Sequence, residues 1–149
     1  MNAYARFAGM IGTATLIMYG LMYLNTYQLD HVFFSETRAY MAMLMGACMA
    51  IIMLSFMLSM HKNKAMNIGI YTVSVLVFVT SFWLVRSQAT VQDVSYMRAM
   101  IPHHSIAILT SERAQISDPR VRDLADQIIK TQREEIAQMK TLIEDLKNR

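Results

Sequence analysis

Two adjacent histidines, His103 and His104, are the residues of this sequence whose types and spacing are best suited to chemistry. Methionines lie three and six residues before the pair, and Glu135 and another methionine follow further along the chain. Imidazoles bind zinc, copper, iron or nickel, thioethers favour Cu(I), and carboxylates favour harder ions. We therefore predict a metal site. The predicted ligands are Met97, Met100, His103, His104, Glu135 and Met139.

The spacing of these residues leaves the metal open. The complete set is soft and favours copper, whereas His103, His104 and Glu135 alone would also suit zinc. Neighbouring residues on a helix differ by about 100° in direction, so the two imidazoles cannot both point along one narrow stripe. In an arrangement without metal, one histidine would be solvated and the other would be hydrogen-bonded to Glu135.

Two helices must position these residues. We predict the first over residues 90–115, with a kink or restart at Pro102, because proline removes a hydrogen bond inside a helix. The run Ser117-Asp118-Pro119 predicts the start of a second helix, over residues 119–146, with a capping side chain followed by proline. The short connection between them predicts an antiparallel hairpin.

The second helix carries a row of residues at alternating spacings of four and three, which is typical of a packed helix face. The row consists of Val121, Ala125, Ile128, Gln132, Glu135, Met139, Leu142 and Leu146. A buried carboxylate costs several kcal/mol unless it is paired or bound to a cation. We therefore expect Glu135 to face a partner on the first helix.

The first part of the chain predicts a membrane region. Apolar residues make up 54% of the sequence and charged residues 17%. Three runs without Asp, Glu, Lys or Arg cover residues 7–24, 40–60 and 66–85, and each is near the ~20 residues that a membrane-spanning helix needs. We therefore predict an all-α protein with a three-helix transmembrane region at residues 1–88 and a soluble hairpin domain at residues 89–149.

The distribution of charge predicts the orientation. Arg6 precedes the first span, and Lys62 and Lys64 lie between the second and third spans, so both places should be cytoplasmic. The chain would then lie in the inner (cytoplasmic) membrane with its hairpin outside. The net charge of +3 belongs to the apolar part, so we expect a lipid bilayer and no nucleic acid as partner.

A row of methionines marks the second predicted span and ends near the loop that contains His61. It consists of Met41, Met45, Met49, Met53, Met57 and Met60. These side chains could be flexible apolar filling, or a thioether ladder that conducts a soft ion such as Cu(I). Two further histidines, His31 and His61, are predicted to lie solvated in loops.

The residues from Asp93 to His104, with Ala107 and Ile108, resemble the first helix of the domain-of-unknown-function 305 family. The second helix is similar at Leu124, Ala125, Ile128, Gln132, Glu135, Ile136, Met139 and Leu142. The resemblance covers about the last 60 residues. It implies a ferritin-like four-helix fold, links to copper binding and copper resistance, and the six ligands named above. Asp93 and Gln132 also match.

Because two amphipathic helices bury little surface, we expect two chains to pair into a four-helix bundle. The predicted function is a membrane-anchored metal-binding protein, most simply for copper, with zinc as the alternative ion. A copper-conducting protein and a structural oligomerisation module without metal are the alternatives. No phosphate loop, nucleophile elbow or paired acid–base motif occurs, so we expect no enzymatic activity.

Overall fold

The computed structural model describes residues 2–148, which form five α-helices and one short 3-10 turn, without a β-strand in that range. The helices are α1 Ala3–Leu21, α2 Glu36–Phe56, α3 Lys64–Ser87, α4 Asp93–Arg113 and α5 Pro119–Lys147. The chain divides into two compact units, of which the first is Met1–Met22 with Thr37–Thr90 and the second is Tyr23–Glu36 with Val91–Arg149. The all-α prediction is confirmed.

The helices of the first unit begin and end at residues that satisfy their free backbone groups. Asn2 accepts a hydrogen bond from the Tyr4 amide at 3.2 Å, and Asn63 accepts one from the Met66 amide at 3.1 Å. At the end of α3, Gln88 adopts a left-handed conformation and its amide donates to the Leu84 carbonyl. These caps place the helix starts within a few residues of the predicted apolar runs.

The first unit packs α1 and α2 through small residues. Gly46 on α2 is buried, and a Cβ at this position would overlap the side chain of Thr15 on α1. One turn further along α2, Ala50 and then Leu54 are buried around Phe7. The absence of a side chain at Gly46 therefore lets the two backbones approach each other closely.

Two helices in residues 2–148, α2 and α3, are long and apolar enough to cross a membrane, with mean hydropathies of 2.0 and 2.1. The first predicted span, at residues 7–24, corresponds to α1, which does not meet the same criterion of length and hydropathy. The structural reason lies in its composition, because Arg6, three glycines and two threonines interrupt its apolar residues. Length and composition therefore give two candidate spans, where the sequence predicted three.

The second unit is the predicted hairpin of α4 and α5 together with the segment Tyr23–Glu36, which chain order places between α1 and α2. Its buried core consists of Met97, Ile101, Ile108, Ile136, Met139 and Ile143. Tyr27 and Phe33, from the segment, pack against this core. The hairpin thus obtains part of its apolar contact from a segment that precedes it by more than fifty residues.

The details of the hairpin agree with the predictions only in part. α4 is one helix over Asp93–Arg113, so of the two predicted alternatives at Pro102, a kink or a restart, the restart does not occur. The predicted row on α5 is confirmed in part, because Ala125 and Met139 are buried whereas Val121, Leu142 and Leu146 are exposed. At 100° per residue, the buried residues, which are Ala125, Ile136, Met139 and Ile143, centre roughly 45° around the helix from the centre of the predicted row. The start of α5 is as predicted, since Asp118 accepts a hydrogen bond from the Arg120 amide at 2.9 Å.

Candidate metal site

A pocket of about 620 Å³ lies beside the hairpin and holds four of the six predicted ligands. Met97 and His104 come from α4, and Glu135 and Met139 come from α5. The rest of its lining consists of Asp93, Tyr96, Gln138, Leu142, Asp145 and Leu146. The pocket therefore combines one imidazole, two thioethers and carboxylates within an apolar wall.

The imidazole of His104 lies next to the carboxylate of Glu135, with 3.1 Å between Nδ1 and Oε2. The His104 side chain is 15% exposed and that of Glu135 is 44% exposed. The sequence predicted a buried carboxylate at Glu135, and the structure shows it half-exposed. The Nδ1 atom itself is shielded from solvent and has no aligned hydrogen bond. Gln132 donates from Nε2 to the same Oε2 atom at 3.3 Å.

Two arrangements fit this separation. An imidazole N–H held by a carboxylate is the usual support for a metal-ligating histidine, whose other nitrogen then binds the ion. Alternatively, a nitrogen and an oxygen that each bind one tetrahedral ion at about 2.0–2.2 Å are themselves separated by roughly 3.3–3.6 Å, so a small widening of the 3.1 Å separation would admit an ion between them. Both arrangements are compatible with a ligated ion next to His104.

Burial lowers the pKa of His104 below its ordinary value. The negative charge of Glu135 opposes this effect, and the neighbouring His103 adds to it. A lowered pKa keeps the imidazole neutral over a wider range of pH. A neutral imidazole is the form that binds metal ions.

His103 and Met100 do not line the pocket. His103 is exposed, and its ring centroid lies 6.1 Å from that of His104. Met100 packs against the hydrophobic core of the hairpin. Within residues 2–148, no three His, Cys, Asp or Glu side chains are grouped so as to hold a metal ion. A site in this pocket would therefore need the thioethers of Met97 and Met139 in addition to His104 and Glu135.

A second face of α4, at Ser105, holds a hydrogen-bonded cluster that the sequence did not predict. Ser105 is fully buried, and its Oγ accepts a hydrogen bond from the Tyr27 amide at 2.7 Å. The same Oγ lies 3.0 Å from Nδ1 of His31. The hydroxyl oxygen has two acceptor lone pairs as well as one proton, so Ser105 either donates to Nδ1 or accepts from a protonated Nδ1, according to the tautomer of His31.

Charged residues surround this cluster. Lys140 on α5 donates to Oδ2 of Asp30 at 2.6 Å, and Oδ1 of Asp30 lies 3.9 Å from Nε2 of His31. Burial lowers the pKa of His31, which Asp30 opposes and Lys140 reinforces. The pKa of Asp30 is itself lowered, chiefly by the hydrogen bond from Lys140. The cluster thus attaches the segment Tyr23–Glu36 to both helices of the hairpin.

The prediction that His31 and His61 are solvated is wrong. His31 is 6% exposed and His61 is 2% exposed. His31 is buried because Ser105, 74 residues later in the chain, provides a partner for its ring. His61 is enclosed by the rings of Tyr4 and Phe7. No local pattern around either histidine could have indicated these distant partners.

Comparison with known proteins places this hairpin in a family. Residues 87–149 match the family described as Domain of unknown function (DUF305). An uncharacterised protein of Acanthamoeba polyphaga mimivirus is 33% identical over 110 residues, which cover 72% of this chain and 70% of the viral protein. No solved structure matches the chain significantly.

Proposed function

The chain belongs to the family of the domain of unknown function 305, and from that premise we propose that it is a membrane-anchored metal-binding protein. It handles copper on the extracytoplasmic side of the inner membrane. The observation that carries this proposal is the placement of His104 beside Glu135 in a pocket that also contains Met97 and Met139. A role in storage, delivery or resistance would use the same site.

The chemistry of these donors favours copper over zinc. Thioethers select soft ions such as Cu(I), and imidazole suits the same ion. Structural zinc sites take four ligands from Cys, His and carboxylate groups. The structure brings only His104 and Glu135 of that kind together among the predicted ligands. Glu135, with Gln132 bonded to it, would orient the imidazole or complete the ligand set.

The apolar helices support membrane anchoring. Many large apolar side chains of α3 are exposed in the first unit, for example Leu76, Val79 and Trp83. A helix that is apolar on all sides and is not covered by protein is expected in lipid. We propose that α1 crosses the membrane as well, and that Arg6 and Lys64 lie on the cytoplasmic side.

A second copy of the chain is the proposed partner. The exposed apolar residues of α5 and the half-buried Ile128 lie in one row. The exposed members are Val121, Leu124, Leu142 and Leu146. Leu142 and Leu146 also line the pocket. Two hairpins paired along this row would form a four-helix bundle of the ferritin-like kind and would cover the pocket.

Cu(I) titration of the full chain in detergent, against a chromophoric chelator, tests the metal site. We expect His104→Gln and Met139→Leu each to weaken Cu(I) binding by at least about 10–100-fold, the loss that removal of even a supporting group causes. The matched controls are His103→Gln and Met100→Leu, whose side chains lie outside the pocket. The controls should bind as the parent does.

Equal Cu(I) affinities in the parent, His104→Gln and Met139→Leu would overturn the proposal. Since leucine for methionine is a swap of similar volume, the fold should tolerate it. Circular dichroism and the elution volume in detergent verify this. A parallel titration with Zn(II) separates a copper site from a zinc site.

One observation favours an alternative function, an oligomerisation module without metal. Gln132 donates to Oε2 of Glu135, and Nδ1 of His104 lies 3.1 Å from the same atom without an aligned hydrogen bond. A small rotation of the imidazole would align that contact and satisfy these groups without an ion. This alternative requires that neither Cu(I) nor Zn(II) raises the melting temperature of the purified protein, and that a chelator does not lower it.

A further inference from the structure

His61, in the connection between α2 and α3, is a buried imidazole with one nitrogen that has no partner. Its Nδ1 lies 3.0 Å from the backbone carbonyl oxygen of Met57. A carbonyl oxygen can only accept, so Nδ1 carries the proton and Nε2 has a free lone pair. That Nε2 atom is shielded from solvent and forms no hydrogen bond within residues 2–148.

An acceptor in this position is costly. A buried polar atom without a partner destabilises a protein by about 1–3 kcal/mol, so such atoms are few and each needs an explanation. The neighbouring rings of Tyr4 and Phe7, with centroids at 4.7 and 5.5 Å, meet the imidazole almost at right angles. The Tyr4 hydroxyl is occupied by Asn63 and Asn67. It therefore does not serve Nε2.

Two thioethers lie on the same face as His61. The amide of Met57 donates to the Met53 carbonyl at 3.0 Å, and the amide of His61 donates to the Met57 carbonyl at 3.2 Å. The helical spacing of four residues thus continues past the end of α2, and each step of four turns the side chain by about 40°, so Met57 and Met53 lie on the same side of the chain as His61, one and two turns before it. Met53 and Met57 pack against the cluster of Phe7, and the Phe7 ring also contacts His61.

We propose that His61, with the thioethers of Met57 and Met53, is a second binding site for a soft monovalent metal ion of the Cu(I) class. Imidazole and thioether are neutral donors that such ions prefer, and this set contains no carboxylate that would favour magnesium, calcium or manganese. The bond from Nδ1 to a backbone carbonyl is also the support that ligating histidines commonly have. The lone pair of Nε2 would then bind the ion.

This site is separate from the hairpin pocket and depends on different residues. His61 also follows the methionine row of the second predicted span in the same register, because Met49, Met53, Met57 and His61 are each four residues apart. The site can exist whether or not the hairpin binds copper. The two can therefore be tested independently in one protein.

Ag(I), a redox-inert substitute for Cu(I), is the probe. It is titrated into the full chain in detergent, in a background variant that carries His104→Gln and Met139→Leu. We expect this background to bind one Ag(I) and His61→Gln to abolish that binding, while Met57→Leu weakens it by about 10–100-fold. Met60→Leu, at an exposed methionine next to the site, is the matched control.

The ¹⁵N resonance of His61 Nε2 supplies a second readout that needs no substitution at the site itself. It should shift when Ag(I) binds to the background variant, as expected for a nitrogen that becomes a ligand. An unchanged resonance, or Ag(I) binding that survives His61→Gln, overturns the proposal. If the hairpin did not bind metal, the parent would bind one Ag(I) per chain fewer than expected. The binding of Ag(I) at His61 in the background variant would be unaffected.

Discussion

Replacement of Ser105 by alanine should release the segment Tyr23–Glu36 from the hairpin. The Ser105 hydroxyl accepts from the Tyr27 amide at 2.7 Å and is hydrogen-bonded to His31 Nδ1 at 3.0 Å. Without it, the amide of the half-buried Tyr27 and the ring nitrogen of the buried His31 lose their partner. Alanine is a better helix former than serine, so α4 itself should remain intact.

The size of the effect follows from these two bonds. Each buried group left without a partner costs about 1–3 kcal/mol. Because Tyr27 and Phe33 keep their apolar contacts with the core, we take the lower end of that range for each bond. The total is about 2 kcal/mol, which corresponds to a roughly 30-fold increase in the opening equilibrium of the segment.

Hydrogen exchange measured by mass spectrometry on the full chain in detergent is the appropriate assay. Peptides that cover residues 23–36 should lose protection by about the factor given above, while peptides from α5 remain protected. Ser111→Ala, at a half-buried serine on the same helix, is the matched control. Equal protection of residues 23–36 in the parent and in a folded Ser105→Ala variant would refute the reasoning.

Three further predictions concern other parts of the chain. Gly46→Ala should destabilise the first unit by about 1–3 kcal/mol, because its Cβ would overlap Thr15. At Gly69 a Cβ meets open space, so Gly69→Ala should stabilise α3 by up to about 1 kcal/mol. Thermal melts in detergent measure the stability of both variants against the parent. The pKa of His31 is lowered on folding, so the neutral imidazole contributes its full stabilisation above about pH 6.5. This stabilisation is lost as the pH falls through the folded-state pKa. His31→Gln should therefore make the melting temperature less sensitive to acid. Leu124→Glu, on the exposed row of α5, should convert the proposed dimer to a monomer in light scattering, whereas the neighbouring Gln127→Glu should not.

Much of the helical structure could be predicted from the sequence because its signals are local. The capping residues before Pro119 and the long apolar runs determine where helices begin, and the structure agrees within a few residues. The offset of the buried row on α5 shows the limit of this approach. Two overlapping rows, which share Ala125 and Met139, both satisfy the spacing of four and three, and packing against α4 decides which one is buried.

The candidate site could be predicted in part. Spacing identified the residue types of the pocket, and the structure brings Met97, His104, Glu135 and Met139 together. It could not decide between His103 and His104, since their directions depend on the rotation of α4. The partners of the other two histidines could not be predicted either, because burial of His31 and His61 depends on residues far away in the chain.

The rotation of α4 is also what connects the pocket to the segment Tyr23–Glu36. His104 and Ser105 are consecutive, and side chains of neighbouring helical residues differ in direction by about 100°. One therefore faces Glu135 while the next receives the Tyr27 amide. Since α4 is a single helix over Asp93–Arg113, no break separates the two contacts.

A movement of α4 that displaced one of these side chains would also displace the other. We expect docking of the segment to stabilise the rotation of α4 in which His104 lies beside Glu135, and by reciprocity an ion that fixes His104 would stabilise the docked segment. The segment lines no part of the pocket. It would nevertheless help to determine which of the two adjacent histidines faces the thioethers of Met97 and Met139.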